Sequence, residues 1–261
     1  MRVSVISPDR RQGGTTVSVL LALALAQTQN YTTCLTYTGS KNSINGMLGL
    51  KPLEDKTRSL TQVIKLLESN AISNEEILDY CIQVPGVPNL QLVDTSSDSI
   101  TDEETAKLLK FFINRLSHQI VITDVSTEIY EEITASIIDE SDLIVMVVTQ
   151  SREIKEKLRQ WEQAQIMGRL NAKGLVFIVN QYDPYVEAFR MTSKSMKIKH
   201  TRCAKLSYNP FIKKTSNIGK LQTILPYILD KDPRVIELNN DLKECLAIVT
   251  ANLGRKMVWL Q

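Results

Sequence analysis

The sequence is poor in the residues that build metal and redox centres. Its 261 residues include only four cysteines, Cys34, Cys81, Cys203 and Cys245, and two histidines. The cysteines lie too far apart along the chain to form the short-spaced pairs of a metal site. This pattern excludes an ordinary zinc centre and favours reduced, mostly buried thiols, which are typical of cytosolic proteins. We therefore expect a cytoplasmic protein.

The chain also lacks a long apolar run. No stretch reaches the roughly 18 to 20 residues that a membrane-spanning helix needs. The shorter run Val17 to Ala26 resembles the core of a secretory signal. However, Met1 to Ser7 before it is typical of a buried strand, and Gly13-Gly14-Thr15-Thr16 suits the start of a helix. We therefore interpret the run as an internal helix.

Acidic residues are absent between Ala188 and Leu229, although the whole chain has a formal net charge of only +2. The cations of this segment are Arg190, Lys194, Lys197, Lys199, Arg202, Lys205, Lys213, Lys214 and Lys220. Such a segment is either a solvated basic face or, over residues 190–220, a site for non-specific contact with the DNA backbone. Few aromatic residues are interleaved with the cations, which argues against stacking on single-stranded bases.

Short apolar runs alternate with helical patterns along the whole chain. The expected strands are Val3 to Ile6, Tyr31 to Tyr37, Cys81 to Val84, Leu90 to Val93, Gln119 to Asp124, Leu143 to Thr149, Leu175 to Asn180 and Ala204 to Ser207. Nearly unbroken apolar strands are typical of parallel sheets that are covered on both faces. The alternation predicts an α/β fold with a doubly wound, mostly parallel sheet flanked by helices, in one domain over residues 1–261.

The expected helices follow the same alternation. They are Val17 to Ala26, a helix opened by Ser59, Glu128 to Ile138, Arg152 to Met167, a helix near Val186, Gly219 to Leu229 and Arg234 to Leu253. Two capping boxes, Ser73 to Glu76 and Thr101 to Glu104, predict two further helix starts.

The first strand and the first helix are joined by a glycine-bearing loop, Pro8 to Thr16. A strand, a glycine loop, two threonines and an apolar helix form the order of parts found in phosphate-binding loops. A loop of the Walker type has lysine immediately before Ser or Thr, whereas this chain has Gly14 there. The alternative is a strand-to-helix turn that binds no ligand.

Two polar residues close later apolar strands. Asp124 ends the strand that starts at Gln119, and Asn180 ends the strand that starts at Leu175. In a doubly wound sheet, ligands bind at the carboxyl ends of the strands, so both residues are expected near the loop. Asp124 is otherwise a cap for the next helix, and Asn180 a turn residue.

These motifs resemble the ParA/MinD family of deviant-Walker P-loop ATPases over roughly residues 1 to 230. In the loop, Asp9 stands at the family's signature lysine, Arg10 and Arg11 at its two glycines, Gln12 at its variable position, Gly13 at its third glycine, Gly14 at its phosphate lysine, and Thr15 and Thr16 at its threonines. Asp124 stands at the Walker B aspartate and Asn180 at the adenine-recognising asparagine.

The resemblance implies a nucleotide site and its metal. ATP would contact Arg10, Arg11, Gln12, Gly13, Gly14, Thr15, Thr16 and Asn180, and Mg²⁺ would be held by Thr15 and, through water, by Asp124. The first helix would also present its backbone amides and the positive end of its dipole to an anion.

The departures from the family concern hydrolysis. Both loop lysines are missing, and the second-strand aspartates, one of which positions the attacking water in the family, fall on Tyr37 and Gly39. Loss of one well-placed electrostatic group costs on the order of a hundredfold or more in rate. We therefore expect no catalytic residues and a degenerate ATPase, with nucleotide binding weak or lost.

The resemblance also implies partners. Family members pair as homodimers, and those that tolerate an altered loop resemble the CpaE/TadZ group, which suggests a scaffold that positions a pilus, secretion or conjugation machine. The alternative is a genuine ParA-like partitioning ATPase that binds DNA. The tail Leu253 to Gln261 combines two cations with apolar residues and a tryptophan. It is a candidate membrane anchor or a segment that packs onto the body or a partner.

Overall fold

The computed structural model describes residues 1–38, 43–51, 60–73, 76–93, 109–125, 132–229 and 232–254. These residues form an eight-stranded sheet in the order β3-β4-β2-β5-β1-β6-β7-β8. The strands are β1 Arg2–Ile6, β2 Thr33–Tyr37, β3 Ile82–Gln83, β4 Leu90–Leu92, β5 Ile120–Asp124, β6 Leu143–Val148, β7 Leu175–Tyr182 and β8 Cys203–Ser207. The β3–β4 pair is antiparallel and the other six neighbouring pairs are parallel. The predicted mostly parallel α/β sheet is confirmed.

Helices occupy most of the connections between the strands. They are α1 Gly14–Thr28, α2 Ser43–Leu48, α3 Leu60–Glu68, α4 Glu132–Asp139, α5 Arg152–Gln163, α6 Ile166–Asn171, α7 Phe189–Ser195, α8 Pro210–Asn217, α9 Ile224–Leu229 and α10 Ile236–Asn252. Residues 109–113 are also helical. Short 3₁₀ turns lie at Glu76–Tyr80, His200–Arg202, Leu221–Thr223 and Pro233–Val235.

The centre of the sheet is buried on both faces, and its strand β6 is entirely apolar. β1 pairs with β5 on one side and β6 on the other, and all six residues of β6 are buried. One face packs against α1, α9 and α10, and the opposite face packs against α4, α5 and other elements in two further clusters. Burial on both faces explains why β6 has no polar alternation in its sequence.

Helix α1 is buried on all sides. Every residue from Val17 to Ala26 is buried, and the helix packs against the sheet on one side and α10 on the other. A helix that is apolar all round belongs in the interior of a protein. The apolar run that resembles a signal core is therefore the middle of this internal helix.

Two predicted helices are interrupted for local reasons. The helix expected over Arg152 to Met167 is two helices, and Gln165 between them has a left-handed φ of 60°. In the stretch from Gly219 to Leu229, a 3₁₀ turn spans Leu221–Thr223, and α9 starts only at Ile224. Pro226 has no N–H to bond to the carbonyl four residues earlier, so it fits only the first turn of an α-helix.

The helix expected near Val186 begins later, at Phe189. A turn precedes it, in which the Asp183 carboxylate accepts a hydrogen bond from the Tyr185 N–H at 2.8 Å and the Asp183 carbonyl accepts one from the Val186 N–H at 3.2 Å. Such turns, in which an aspartate side chain bonds the backbone two residues on, favour a break in the chain over helix.

The first capping box is present in the structure. The Ser73 N–H donates to Glu76 Oε2 at 2.7 Å, and the Glu76 N–H donates to Ser73 Oγ at 3.3 Å. The element that follows is the 3₁₀ turn Glu76–Tyr80 rather than the α-helix that the box predicts. The second box, Thr101 to Glu104, lies outside the described residues.

Helix α10 covers the open edge of β8. The Ser207 N–H donates to Asp241 Oδ2 at 2.7 Å, and Cys245 Sγ lies 3.5 Å from the Lys205 carbonyl. These contacts satisfy groups that an edge strand otherwise exposes to other chains. All four cysteines are buried and free, as expected from their spacing. Among the described residues, no helix is long and apolar enough to cross a membrane.

Candidate functional site

The loop between β1 and α1 has an unusual backbone. Ser7 and Pro8 are buried at the end of β1, whereas Asp9, Arg10 and Arg11 are exposed. Gly13, at the helix cap, has a φ of 82°, and Arg11 has a φ of 64°. A left-handed conformation favours glycine, so Arg11 adopts a backbone shape that a side chain makes costly. The backbone at position 11 therefore has a conformation that is typical of glycine, although the residue is arginine.

The N-terminus of α1 is open to an anion. The helix has no side-chain cap and no acidic residue in its first turn, which includes Thr15 and Thr16. The first backbone amides of a helix have no acceptor within the helix, and they carry the positive end of its dipole. This end of α1 therefore retains the backbone features of an anion site.

Gln12 connects the loop to residues at the ends of two strands by hydrogen bonds. Its carbonyl accepts a hydrogen bond from Asn180 Nδ2 at 2.8 Å, and its Oε1 accepts one from Thr149 Oγ1 at 2.6 Å. Its own amide group donates to the Arg10 carbonyl at 3.2 Å. The ends of β6 and β7 are thus tied directly to the loop.

The Asn180 side chain lies against the backbone at Gly13. A Cβ atom added at Gly13 would be 2.1 Å from Asn180 Nδ2, which is closer than atoms can approach. The register of β7 shifts between Asn180 and Tyr182, and Gln181 between them has a φ of 52°. A bulge of this kind re-aims the neighbouring side chain. Asn180 is therefore directed at the loop by the irregular end of its strand.

Asp124 is next to the start of α1. The Ser18 hydroxyl donates to the Gly14 carbonyl at 3.0 Å and lies 3.4 Å from Asp124 Oδ1. Burial raises the pKa of the Asp124 carboxyl to about 6, and hydrogen bonds from Thr15 and Ser18 offset only part of that shift. Thr15 and Asp124, which the sequence predicts as metal ligands, therefore lie together.

The residues of this site suit Mg²⁺ better than they suit phosphate. The Thr15 hydroxyl and the Asp124 carboxylate are the hard oxygen donors that Mg²⁺ prefers. The positive charge for phosphate is less well supplied, because the loop has no lysine and both of its arginines are exposed. When bound, Mg²⁺ would supply charge to phosphate oxygens, and Thr15 and Asp124 would hold it.

A Cβ atom added at Gly14 would make its closest contact with a serine side chain. A Cβ atom there would lie 2.9 Å from Ser7 Oγ, which is the end of a side chain, and 3.8 Å from Asp124 Oδ1. The backbone at Gly14 therefore accepts a Cβ atom if the Ser7 side chain shifts.

The second-strand position beside Asp124 is filled by a buried aromatic residue. Tyr37 is paired in register with Asp124 and is only 4 % exposed. The next residue, Thr38, donates its N–H to the Asp124 carbonyl at 3.0 Å. Gly39, where the other aspartate of the family would stand, lies outside the described residues.

Two contributors to this site were not predicted from the sequence. Thr149, which bonds to Gln12, follows the apolar strand β6 directly, and Ser18 lies one helical turn after Gly14. Polar residues that end a buried strand were the signal for Asp124 and Asn180, and the same signal would have found Thr149. Ser18 gives no such signal, because it lies within an apolar helix.

Seven of the nine cations of the basic segment are exposed. Lys197 pairs with Glu162 at 2.8 Å, and Lys205 lies 3.6 Å from the buried Asp241. The other cations of the segment, Arg190, Lys194, Lys199, Arg202, Lys213, Lys214 and Lys220, form no ion pair with the described part of the chain. Residues 255–261 of the tail are outside the described residues.

No family model matches the chain, and no curated protein matches it in sequence. The structure is similar to a chain of the MinC:MinD cell division protein complex of Aquifex aeolicus, with a TM-score of 0.66 and 16 % identity over 100 % of this chain and 99 % of that chain.

Two further solved structures give the same result. MinD of Pyrococcus horikoshii, complexed with Mg-ADP, has a TM-score of 0.67 at 13 % identity and covers 98 % of this chain and 99 % of its own. A ParA family ATPase from Chlorobium tepidum has a TM-score of 0.67 at 12 % identity and covers 92 % and 95 %. The chain therefore has the fold of the ParA/MinD proteins, as its loop and strand-end residues predict.

Proposed function

We propose that this chain is a degenerate ParA/MinD-like protein that positions a cellular machine and has lost fast ATP hydrolysis. The machine would be a pilus, secretion or conjugation apparatus, and the protein would act as a scaffold, as in the CpaE/TadZ group. The observation that carries the proposal is the loop itself, in which Asp9 and Gly14 stand where two lysines would supply charge.

The chemistry of phosphoryl transfer supports this proposal. Catalysis of that reaction depends mainly on positioning and on stabilising the charge that develops on the phosphate oxygens. Without either loop lysine, and with the buried Tyr37 beside Asp124, both the charge and a water-positioning carboxylate are missing from those places. Each such loss costs on the order of a hundredfold or more in rate.

Weak nucleotide binding is compatible with the same residues. The uncapped start of α1 attracts an anion, and Thr15 and Asp124 suit Mg²⁺. Against binding, the Asn180 side chain lies on Gly13, and Asp9 adds a negative charge to the loop. We expect ATP to bind weakly or not at all. Any binding that does occur should require Mg²⁺.

Calorimetric titration with ATP, with and without Mg²⁺, tests the binding part of the proposal, together with the mass of the protein in solution. We expect weak or absent heat of binding and a homodimer that does not require nucleotide. Tight binding of Mg-ATP that drives a monomer into a dimer would contradict the proposal and indicate an intact nucleotide switch.

The second candidate is a genuine ParA-like ATPase that binds DNA. The exposed cations without ion-pair partners, such as Lys199, favour it. This candidate predicts DNA binding that depends on ATP and falls steeply with salt. Charge reversal at Lys197 and Lys199 would weaken such binding, with the larger effect at Lys199 because Lys197 is already paired with Glu162.

A further inference from the structure

The corner where β7 leads into α7, together with the end of β8 beside it, exposes four large apolar side chains. Tyr185 is 97 % exposed, Val186 63 %, Met191 53 % and Tyr208 57 %. The Tyr208 N–H bonds to the Tyr182 carbonyl, so the end of β8 lies beside the start of this turn. Half of the eight large apolar residues that are exposed in the described chain lie at this corner. We call Tyr185, Val186, Met191 and Tyr208 the β7–α7 corner.

Hydrogen bonds from the Gln150 side chain fix the backbone of the corner. The Gln150 side chain accepts a hydrogen bond from the Asp183 N–H at 2.8 Å and donates to the Glu187 carbonyl at 3.0 Å and to Thr192 Oγ1 at 3.2 Å. The Tyr182 and Phe189 rings pack edge to face with centroids 5.7 Å apart. A surface that is ordered before binding loses less entropy when a partner docks.

The free charges around the corner are positive. Its two carboxylates are engaged within the chain, because Asp183 caps the Tyr185 N–H and Glu187 pairs with Lys155 at 2.8 Å. Arg190 and Lys194 on α7 are exposed and form no ion pair with any residue that the structure describes. The corner is therefore an apolar surface with two unpaired cations beside it.

We propose that the β7–α7 corner binds a protein segment in which apolar anchor residues are flanked by Asp or Glu. Several large apolar side chains exposed in one region, with charged residues beside them, are typical of interaction sites. Tyr, Met and Arg, which are all present here, are enriched at protein interfaces, and Tyr and Arg are also enriched at binding hot spots. The unpaired Arg190 and Lys194 complement acidic side chains, and this complementarity sets the orientation of the segment.

The same features fit the other anionic partners less well. DNA phosphates would use the cations but leave Tyr185, Val186 and Met191 exposed, since phosphate contacts are polar. An anionic bilayer would gain only about 1 kcal/mol from each nearby cation, and two cations with a rigid turn form a weak anchor. The inference goes beyond the proposed function, because it does not depend on whether nucleotide enters the loop.

A phage-displayed library of random linear peptides, selected on the full chain, tests this proposal. We expect the selected peptides to combine apolar residues with flanking Asp or Glu. A synthetic fluorescent copy of a selected peptide is then titrated by polarisation. The doubles Tyr185→Ser with Met191→Ser, and Arg190→Glu with Lys194→Glu, should each weaken binding about tenfold or more. Only the second should also reduce the salt dependence.

Matched controls lie elsewhere on the surface. Ile218 is 56 % exposed, and Lys213 and Lys214 are exposed cations of the same acid-free segment. Ile218→Ser and the double Lys213→Glu with Lys214→Glu should leave the affinity within about twofold. Unchanged circular dichroism shows that each variant is folded.

Three outcomes would overturn the proposal. The first is a selection that yields no acidic and apolar pattern. The second is a peptide whose affinity is the same for the corner variants and the wild type. The third is binding of phosphatidylglycerol vesicles or duplex DNA that the corner variants lose while no peptide binds, which would assign the surface to a membrane or to nucleic acid.

Discussion

At the scale of single residues, the loop is characterised by its backbone conformation and by its contact with Asn180. Gly13 needs a left-handed backbone and leaves room for Asn180, whose amide lies where a Cβ atom would be. Arg11 adopts a similar conformation without being glycine. The loop therefore contains two left-handed residues, of which only one is glycine.

Gly13→Ala should therefore destabilise the protein by about 1–3 kcal/mol, because the new methyl group meets Asn180 and the φ of 82° strains an alanine. Urea unfolding measures the change. The matched control is Gly168→Ala in α6, where no atom lies within 4 Å of the added Cβ. This control should be neutral or stabilising by up to about 1 kcal/mol. Equal effects at the two sites would contradict the packing of Asn180 on the loop.

Asp124 and His118 should give opposite pH dependences of stability. Burial raises the pKa of Asp124 from 3.8 to about 6, so between these values the folded state binds more protons and stability falls as pH rises. Burial lowers the pKa of His118 from 6.5 to about 4, so the folded state binds fewer protons there and stability rises with pH. In the wild-type protein the two effects partly cancel.

Single variants separate these two effects. Between pH 4 and pH 6.5, Asp124→Asn should leave a free energy of unfolding that rises with pH, and His118→Gln should leave one that falls with pH, each by about 1–2 kcal/mol. Chemical denaturation at several pH values measures both slopes. If Asp124→Asn had the same slope as the wild type, the carboxyl would not be buried as described.

Residue types at strand ends were predictable from the sequence, whereas their hydrogen bonds were not. Asp124 and Asn180 were expected at one edge of the sheet, and both lie where the loop leads into α1, Asn180 at Gln12 and Asp124 beside Ser18. That Asn180 bonds to the Gln12 carbonyl depends on the bulge at Gln181. A bulge is a tertiary feature without a local sequence signal here, so only the structure reveals it.

At the scale of secondary-structure elements, the edge strand β8 depends on α10. The buried Asp241 accepts the Ser207 N–H at 2.7 Å and lies 3.6 Å from Lys205 Nζ. Asp241→Ala should destabilise the protein by about 1.5–3 kcal/mol, because a buried N–H loses its charged acceptor. Glu244→Ala, at an exposed position of the same helix, should change stability by less than about 0.5 kcal/mol. Urea unfolding compares them, and equal effects would show that Asp241 does not stabilise the edge.

The kinds of element were largely predictable, but their boundaries were not. The apolar run of β6 and the alternation of strands and helices follow from local pattern, since burial on both faces requires apolar residues throughout. The break at Gln165 was missed, because its left-handed backbone has no glycine or proline to signal it. Pro226 indicates that α9 starts late, because proline fits only the first turn of a helix. This indication was missed because the residues around it have a helical pattern.

At the scale of the whole molecule, the strand order places the loop at the centre of the sheet. β1 lies between β5 and β6, so the strands of the first half extend to one side and those of the second half to the other. This is the switch point at which doubly wound sheets bind ligands. The parallel class was predictable from the alternation of elements, but the order was not, because strand neighbours are chosen by long-range packing.

The carboxyl edge of the sheet also links the loop to the β7–α7 corner. Thr149 bonds to Gln12 of the loop, and its neighbour Gln150 bonds to the backbone under the corner. Two consecutive residues at the end of β6 therefore hold the two surfaces for which we propose functions. This arrangement is compatible with a scaffold whose partner surface is permanently formed.

Steady-state hydrolysis of ATP in the presence of Mg²⁺, compared between the wild-type protein and Thr15→Ala, tests the central claim most directly. Thr15 is partly exposed at the start of α1 and bonds to Asp124, so its loss should remove any Mg²⁺-dependent turnover without unfolding the protein. We predict that the wild type releases phosphate no faster than Thr15→Ala. Steady hydrolysis by the wild type that Thr15→Ala abolishes would contradict the claim and identify an active ATPase.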